Sequence, residues 1–485
     1  MMLDGANRCA SSDHQNQRWR GNLLVDHGRI YPMVRDPAEP VRIRSPLRSE
    51  SLDVLPVIED GAVGVRDGRI VYVGPSHTIP DLLHALPAVS AEGRAVVPGF
   101  VDPHTHIPFA AWRSDEYVRR LRGESYAKQQ REDGRRKSEP PGAHGKPPVR
   151  GIARSAWQVS AASDEDLLRF SKARIREAME TGTTALEMKS GYGLSAEAEW
   201  RLLRTARALA WEFALPPAVT GLFLHAVPPG ETAEAWTETV LEEVLPRALR
   251  EGWLDAVDAF VEPVAFSPSA ARRLVVAAQE HGLQTHLHLD QITESGLVPW
   301  AAGVGVTSVD HLDHLSDRGV DALAGSPTVA VLLPGATFLA GPGESLPVRR
   351  MIEKGVAVAL GTDLNPGTAP VASLPECMAL AGRLWGLNGA EVLAMTTVNA
   401  ACALGLDASY GTLSVGGWGD LAVLDGDSPD VLVYRLGHAP VVGVMHRGVW
   451  VRKDPELGER GDPDPWIHGS DGAGNLSRPR RGAGR

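Results

Sequence analysis

Val96-Val97-Pro98-Gly99-Phe100-Val101-Asp102 is an apolar run that reads as a β-strand, and Pro103-His104-Thr105-His106 closes it with two histidines two residues apart. In an extended chain residues i and i+2 share a face, so both imidazoles point the same way. Imidazoles converging at a strand end suit a zinc or iron ion, which takes neutral nitrogen ligands at about 2.0–2.1 Å. Two ligands do not hold an ion by themselves. The reading therefore requires partners at the ends of later strands.

Later strand-like runs are present at Thr183 to Met188, Ala218 to Leu224, Asp255 to Val261, Gln284 to Leu289, Val306 to Asp310, Thr328 to Leu333 and Val356 to Gly361. Amphipathic helices are predicted between them over Asp164 to Glu180 (with Ser163 as N-cap), Ala196 to Leu209, Ala233 to Glu251 and Pro268 to His281. Strands alternating with helices in this number predict an α/β protein with a (β/α)8 TIM-like barrel, and a doubly wound sheet is the competing arrangement. A barrel places its chemistry at the C-terminal ends of its strands. The run ends here carry His104 and His106, His225, His288, His311 and Asp363.

Outside the barrel, Ala62-Val63-Gly64-Val65 and Arg69-Ile70-Val71-Tyr72-Val73 flank Asp67-Gly68 as a β-hairpin. Leu421 to Leu424, Val441 to Met445 and Val449 to Val451 repeat that pattern at the other end. The two ends are expected to pair into one small β-sandwich domain. On this reading residues 1–20 form a disordered N-terminus, 21–95 and 411–452 the two parts of the sandwich, 96–410 the barrel, and 453–485 a flexible tail. Gln129 to Arg150, basic and rich in Pro and Gly, reads as a disordered insertion in the barrel.

A chain of 485 residues with 43% hydrophobic and 22% charged residues has the composition of a soluble globular protein. No run of eighteen apolar residues and no apolar leader segment occur, which points to the cytoplasm. A net charge of -11 gives no overall reason to expect nucleic acid, and the charges of the 129–150 insertion read as solvated rather than as a docking site for an acidic partner. Cys9, Cys377 and Cys402 have neither disulfide-framework nor thiolate-site spacing.

Chemistry distributes roles among the strand-end residues. His104, His106, His288 and Asp363 make a plausible ligand set for one divalent ion that acidifies a water. His311 would polarise a carbonyl or move a proton, and Asp363 would alternatively take the proton of the attacking water. His286, two residues before His288 on the same face, is an alternative ligand, whereas His314 reads as solvated or as a support for the site.

The run from Pro98 to His106 resembles the amidohydrolase superfamily. Lys189-Ser190-Gly191-Tyr192-Gly193-Leu194, His225-Ala226-Val227-Pro228, Asp310-His311-Leu312 and Thr362-Asp363-Leu364-Asn365-Pro366-Gly367-Thr368 are similar to the imidazolonepropionase family of histidine degradation. The resemblance, spanning roughly Glu59 to Val451, implies a metal-dependent hydrolase that opens the cyclic amide of 4-imidazolone-5-propanoate to N-formimidoyl-L-glutamate. It implies metal ligation by His104, His106, His288 and Asp363, and substrate contacts by Arg113, Tyr192, His225, Gln291, Asn365, Gly367 and Thr368. Gln291 stands where some members carry glutamate, and an amide does not shuttle protons. Binuclear relatives need a lysine at the end of strand 4. That end is Glu262 here, read as structural, and Lys189 follows strand 2, so a single Zn2+ or Fe ion per subunit is expected. The implied partner is the small-molecule substrate, with no nucleic acid, no membrane and a homodimer as the expected assembly. The competing readings are an amidohydrolase acting on a different cyclic amide or amidine heterocycle, and a scaffold with a broken ligand set.

Overall fold

The computed structural model describes residues 17–39, 45–123, 150–340, 346–406 and 409–458. The insertion reading lies outside these residues except at Arg150, as do Cys9, residues 1–16 and residues 459–485. In chain order the strands are β1 (Leu23–Ile30), β2 (Ile58–Arg66), β3 (Arg69–Pro75), β4 (Ala88–Ser90), β5 (Ala95–Pro98), β6 (Phe100–Asp102), β7 (Thr183–Leu186), β8 (Met188–Lys189) and β9 (Val219–Leu224). They continue as β10 (Ala256–Phe260), β11 (Gln284–Leu289), β12 (Ser308–His311), β13 (Val329–Leu332), β14 (Ala357–Leu360), β15 (Leu421–Leu424), β16 (Val441–His446) and β17 (Val449–Lys453).

β8 to β14 form a parallel sheet in sequence order, and β6 pairs in parallel with β7. The two pieces join because Glu187, between β7 and β8, donates its amide to Asp102 O at 3.0 Å, and Lys189 donates its amide to Thr105 O at 3.0 Å. The ring closes where Thr105 and Leu364 form a parallel bridge and Asp102 accepts from Thr362 N at 3.1 Å and Thr362 Oγ1 at 2.6 Å. The result is a TIM-like barrel, and every strand end named from the sequence opens on one mouth.

Two expected strands are interrupted. The run from Val96 to Asp102 is not one strand: Gly99 divides it, and β5 pairs with β1 and β15 while only β6 enters the barrel. Any side chain at position 99 would put its Cβ 2.1 Å from Thr184 Oγ1, so the crossing between sheets requires glycine. The run from Thr183 to Met188 likewise breaks at Glu187. The expected helix over Ala233 to Glu251 carries a π-turn at Val240–Val244, next to Pro246, which has no amide hydrogen for the regular ladder. The helix Asp164–Glu180 has the bounds its periodicity indicates, and Ser163 Oγ accepts from Asp166 N at 3.0 Å, a cap of about 1 kcal/mol.

β1 to β5 and β15 to β17 make one eight-stranded mixed sheet from both ends of the chain. Its alternate residues enter different cores. Val96, Leu421, Val423 and Met445 join a cluster with Val25, Val63 and Ile70, whereas Val97, Ala422, Leu424 and Val444 pack into the main core with barrel residues. That division is the period of two of an extended chain covered on both faces. Order begins before residue 21: Gln17–Trp19 is a 3-10 turn, with Trp19 Nε1 donating to Glu212 O at 3.2 Å. Order also runs past residue 453, to a buried Leu457 in the sheet's own core. Among the described residues no helix is long and apolar enough to cross a membrane.

Candidate active site

Strand ends turn sharply at the mouth. His311, Leu312 and Asp363 take φ of 76°, 66° and 54°, left-handed values that side chains other than glycine rarely adopt. Such backbone costs about 1–3 kcal/mol per residue and concentrates at sites where orientation matters more than stability. Here it aims His311, at the end of β12, and Asp363, three residues past β14, into one cleft.

Four groups converge below that cleft. His104 Nε2 lies 3.3 Å from His106 Nε2 and 3.5 Å from Asp363 Oδ1. His106 Nε2 lies 3.1 Å from Asp363 Oδ1 and 3.5 Å from His288 Nε2. Bonds of about 2.0–2.1 Å at tetrahedral angles place neighbouring ligand atoms about 3.3 Å apart, so the spacing fits one ion. On two of the three imidazoles the other ring nitrogen faces a carboxylate, whereas His106 Nδ1 is buried with no hydrogen-bond partner among the described residues. His104 Nδ1 donates to Asp310 Oδ2 at 2.7 Å, and His288 Nδ1 lies 3.0 Å from Asp258 Oδ2. Carboxylates behind the imidazoles of His104 and His288 favour the tautomer that leaves those two Nε2 lone pairs free for a metal. Burial drives His104 and His106 well below the usual imidazole range, which keeps them neutral as ligands must be. These observations fit a divalent ion.

His286 does not join this group. Its Nδ1 meets Ser308 Oγ at 2.9 Å and its Nε2 lies 3.8 Å from Glu187, one layer deeper in the barrel. His314 is exposed. His311 packs against the ligand rings, tilted to His288 with centroids 5.1 Å apart and T-shaped to His104 at 5.6 Å, and burial lowers its pKa to about 3. It is therefore a neutral donor and acceptor at physiological pH.

Arg113, Tyr192, His225, Gln291, Asn365 and Thr368 all line the cleft of ≈ 370 Å³ above these groups. Gly367 does not. It lies behind, where its amide donates to Asn365 Oδ1 at 2.8 Å and its carbonyl accepts from Arg120 Nη2 at 2.5 Å. Arg113 is 5% exposed, and its Nε and Nη1 have no hydrogen-bond partner among the described residues. A buried guanidinium with donors to spare fits a ligand carboxylate.

The loop carrying Tyr192 is held by Glu199, whose carboxylate accepts from Gly191 N at 2.9 Å, Gly193 N at 2.7 Å and Leu194 N at 3.1 Å. Gly191 O meets His225 Nδ1 at 2.9 Å, which commits the proton to that nitrogen and turns Nε2 to the cleft as an acceptor. Gly191 has φ 106°, and a Cβ there would lie 2.9 Å from His225 Nδ1. Gly191→Ala is therefore expected to cost about 1–3 kcal/mol, read as a lower Tm, and to raise KM by displacing His225.

Sequence reasoning missed several members of the site. Phe260, at the end of β10, and Ile152 also line the cleft. Phe260 ends a barrel strand, a signal that was available. Glu262, read from the sequence as structural, holds the loop of Gln291, accepting from Ile292 N at 2.8 Å and Thr293 Oγ1 at 2.7 Å. Asp258, Asp310, Glu187 and Lys189 form a fully buried charged layer under the four convergent groups. Burial opposes charge on Lys189, but its three carboxylate neighbours more than reverse this and hold it protonated.

Residues 95–451 match the model of the Amidohydrolase family. The imidazolonepropionase of Methylobacterium nodulans is 39% identical over 401 residues, covering 82% of this chain and 96% of that protein. The imidazolonepropionase of Symbiobacterium thermophilum is 37% identical over 432 residues, covering 88% and 96%. Among solved structures, the 5-methylcytosine deaminase of Klebsiella pneumoniae superposes with a TM-score of 0.61 at 16% identity, over 89% of this chain and 97% of that one. That likeness bears on the fold alone.

Proposed function

Because this chain belongs to the imidazolonepropionases of the amidohydrolase family, we propose that the cleft above His104, His106, His288 and Asp363 hydrolyses 4-imidazolone-5-propanoate to N-formimidoyl-L-glutamate. The chain is a hydrolase acting on a carbon–nitrogen bond of a cyclic amide. The observation that carries the assignment of the site is the convergence of three Nε2 atoms and one carboxylate oxygen within 3.1–3.5 Å of their neighbours, in a cleft also lined by a buried guanidinium that has hydrogen-bond donors to spare.

His104, His106, His288 and Asp363 would hold a divalent cation, which when bound would supply Lewis acidity and lower the pKa of water. Arg113 takes the propionate through parallel N–H donors and sets the ring's position. His225 Nε2 accepts a ring N–H, and Tyr192 packs beside it with ring centroids 5.2 Å apart. Water adds to the carbonyl carbon, Asp363 accepts its proton, and the ring C–N bond breaks as that proton passes to the leaving nitrogen. Neutral His311 donates its N–H to the carbonyl oxygen as negative charge develops there. Asn365 braces the loop, donating from Nδ2 to Asp363 O at 2.7 Å and to Thr368 Oγ1 at 2.7 Å. Gln291, an amide, orients substrate without moving protons.

The same proposal includes one Zn2+ or Fe ion per subunit, a cytoplasmic setting, a homodimer, and no part for nucleic acid. It reads the eight-stranded sheet as the small β-sandwich domain beside the barrel. Metal-loaded protein is expected to consume freshly generated 4-imidazolone-5-propanoate, with loss of activity on chelation and return on adding metal. Normal turnover in protein shown by elemental analysis to be metal-free would sink the mechanism. Turnover of a dihydropyrimidine or a deaminase substrate alone would overturn the substrate.

A further inference from the structure

Lys189 has no place in the reaction as described, yet it is fully buried inside the barrel directly under the site. Its Nζ lies 2.7 Å from Asp258 Oδ2, 3.7 Å from Asp310 Oδ2 and 2.8 Å from Glu187 Oε2. The two aspartate oxygens have a second contact each. Asp258 Oδ2 lies 3.0 Å from His288 Nδ1, and Asp310 Oδ2 accepts from His104 Nδ1 at 2.7 Å. One ammonium therefore touches both oxygens that orient two of the four convergent groups, and these come from β8, β10, β11, β12 and the loop after β6.

We propose that Lys189 is a positioning residue for the metal centre: through Asp258 and Asp310 it holds His288 and His104 with their Nε2 atoms turned to the ion. The inference rests on the reading of those histidines as ligands. Without a cation between them, two buried carboxylates would repel one another, and each would lose the fixed oxygen against which its imidazole is set. Orientation of ligands by such outer partners carries about 10–100-fold in metal affinity. Lys189 differs from a charge that only balances the interior, because its loss should be felt at the ion itself. Glu187 supplies a control of charge. Its carboxylate touches Lys189, Thr220 and His286 rather than any of the four convergent groups.

The test measures metal affinity rather than turnover. Wild type, Lys189→Met and the charge-compensated pair Lys189→Met with Glu187→Gln are titrated with Zn2+ against a chromophoric chelator, and their Co2+ forms are compared by visible absorption. Val63→Ala, in the core of the terminal sheet, serves as a destabilised control. Both Lys189 variants are expected to bind Zn2+ about 10–100-fold more weakly and to shift the Co2+ bands, with Val63→Ala unchanged in both respects. Unchanged affinity and spectra in a folded Lys189 variant would overturn the inference while leaving the metal site standing. A wild type that binds no metal overturns both. If neither Lys189 variant folds, with or without zinc, the residue serves the fold alone and the inference is also lost.

Discussion

Replacing His288 with alanine is expected to abolish stoichiometric metal binding and to lower kcat/KM by about 10²–10³-fold or more, the scale of removing a principal electrostatic element from a buried site. The expectation follows from its position. His288 Nε2 is one of three imidazole nitrogens facing the same point, and its Nδ1 is set against Asp258 at 3.0 Å. Truncation removes a ligand and leaves the Asp258 carboxylate without its imidazole contact. Fold should survive, because β11 keeps its parallel ladder to β10 and β12 through backbone groups. Elemental analysis, circular dichroism and turnover together check this. Full metal content in a folded His288→Ala protein would remove His288 from the ligand set.

Arg113→Ala should instead spare the metal and lose the substrate. Truncating one partner of a buried charge pair costs about 2–5 kcal/mol, which predicts kcat/KM lower by about 30-fold to several thousand-fold, with most of the change in KM. The guanidinium is 5% exposed, and although Glu116 Oε2 lies 3.7 Å from its Nε, neither Nε nor Nη1 makes a hydrogen bond among the described residues, which leaves donors for a carboxylate. Arg113→Lys should recover only part of the loss, since an ammonium lacks the planar fork. A ring lacking the propionate arm discriminates the role: the penalty should vanish on that compound. An equal penalty on both substrates would make Arg113 a support for the loop rather than a carboxylate anchor.

Periodicity and position made most of the barrel and much of the site readable. Apolar runs of strand length, separated by amphipathic helices, have few arrangements that bury both faces, and a strand end is a definite address for a functional side chain. His104, His106, His288, His311 and Asp363 were found by that address. The charged layer was not readable, because Glu187, Lys189, Asp258 and Asp310 are scattered over more than a hundred residues and meet only when β8, β10 and β12 take a particular stagger. His286 shows the same limit from the other side. Period two puts it on the face of His288, but the slope of the strands sets it against Ser308, below the point where the other imidazoles meet. The break at Gly99 was hidden because the apolar run continues across it, and only the approach of Thr184 requires it.

The crossing at Gly99 also sets an order on assembly. β5 is held by β15, with Val96 opposite Val423, and six residues after β5 the chain supplies His104. The segment that carries the histidine pair is thus moored to strands made more than three hundred residues later. During synthesis, the early barrel strands emerge while that mooring is still missing. A nascent chain stalled before residue 421 would hold His104 and His106 only through the pairing of β6 with β7 and the bonds of Asp102, Thr105 and His106 to the barrel, with the β15 side of the mooring still to be added.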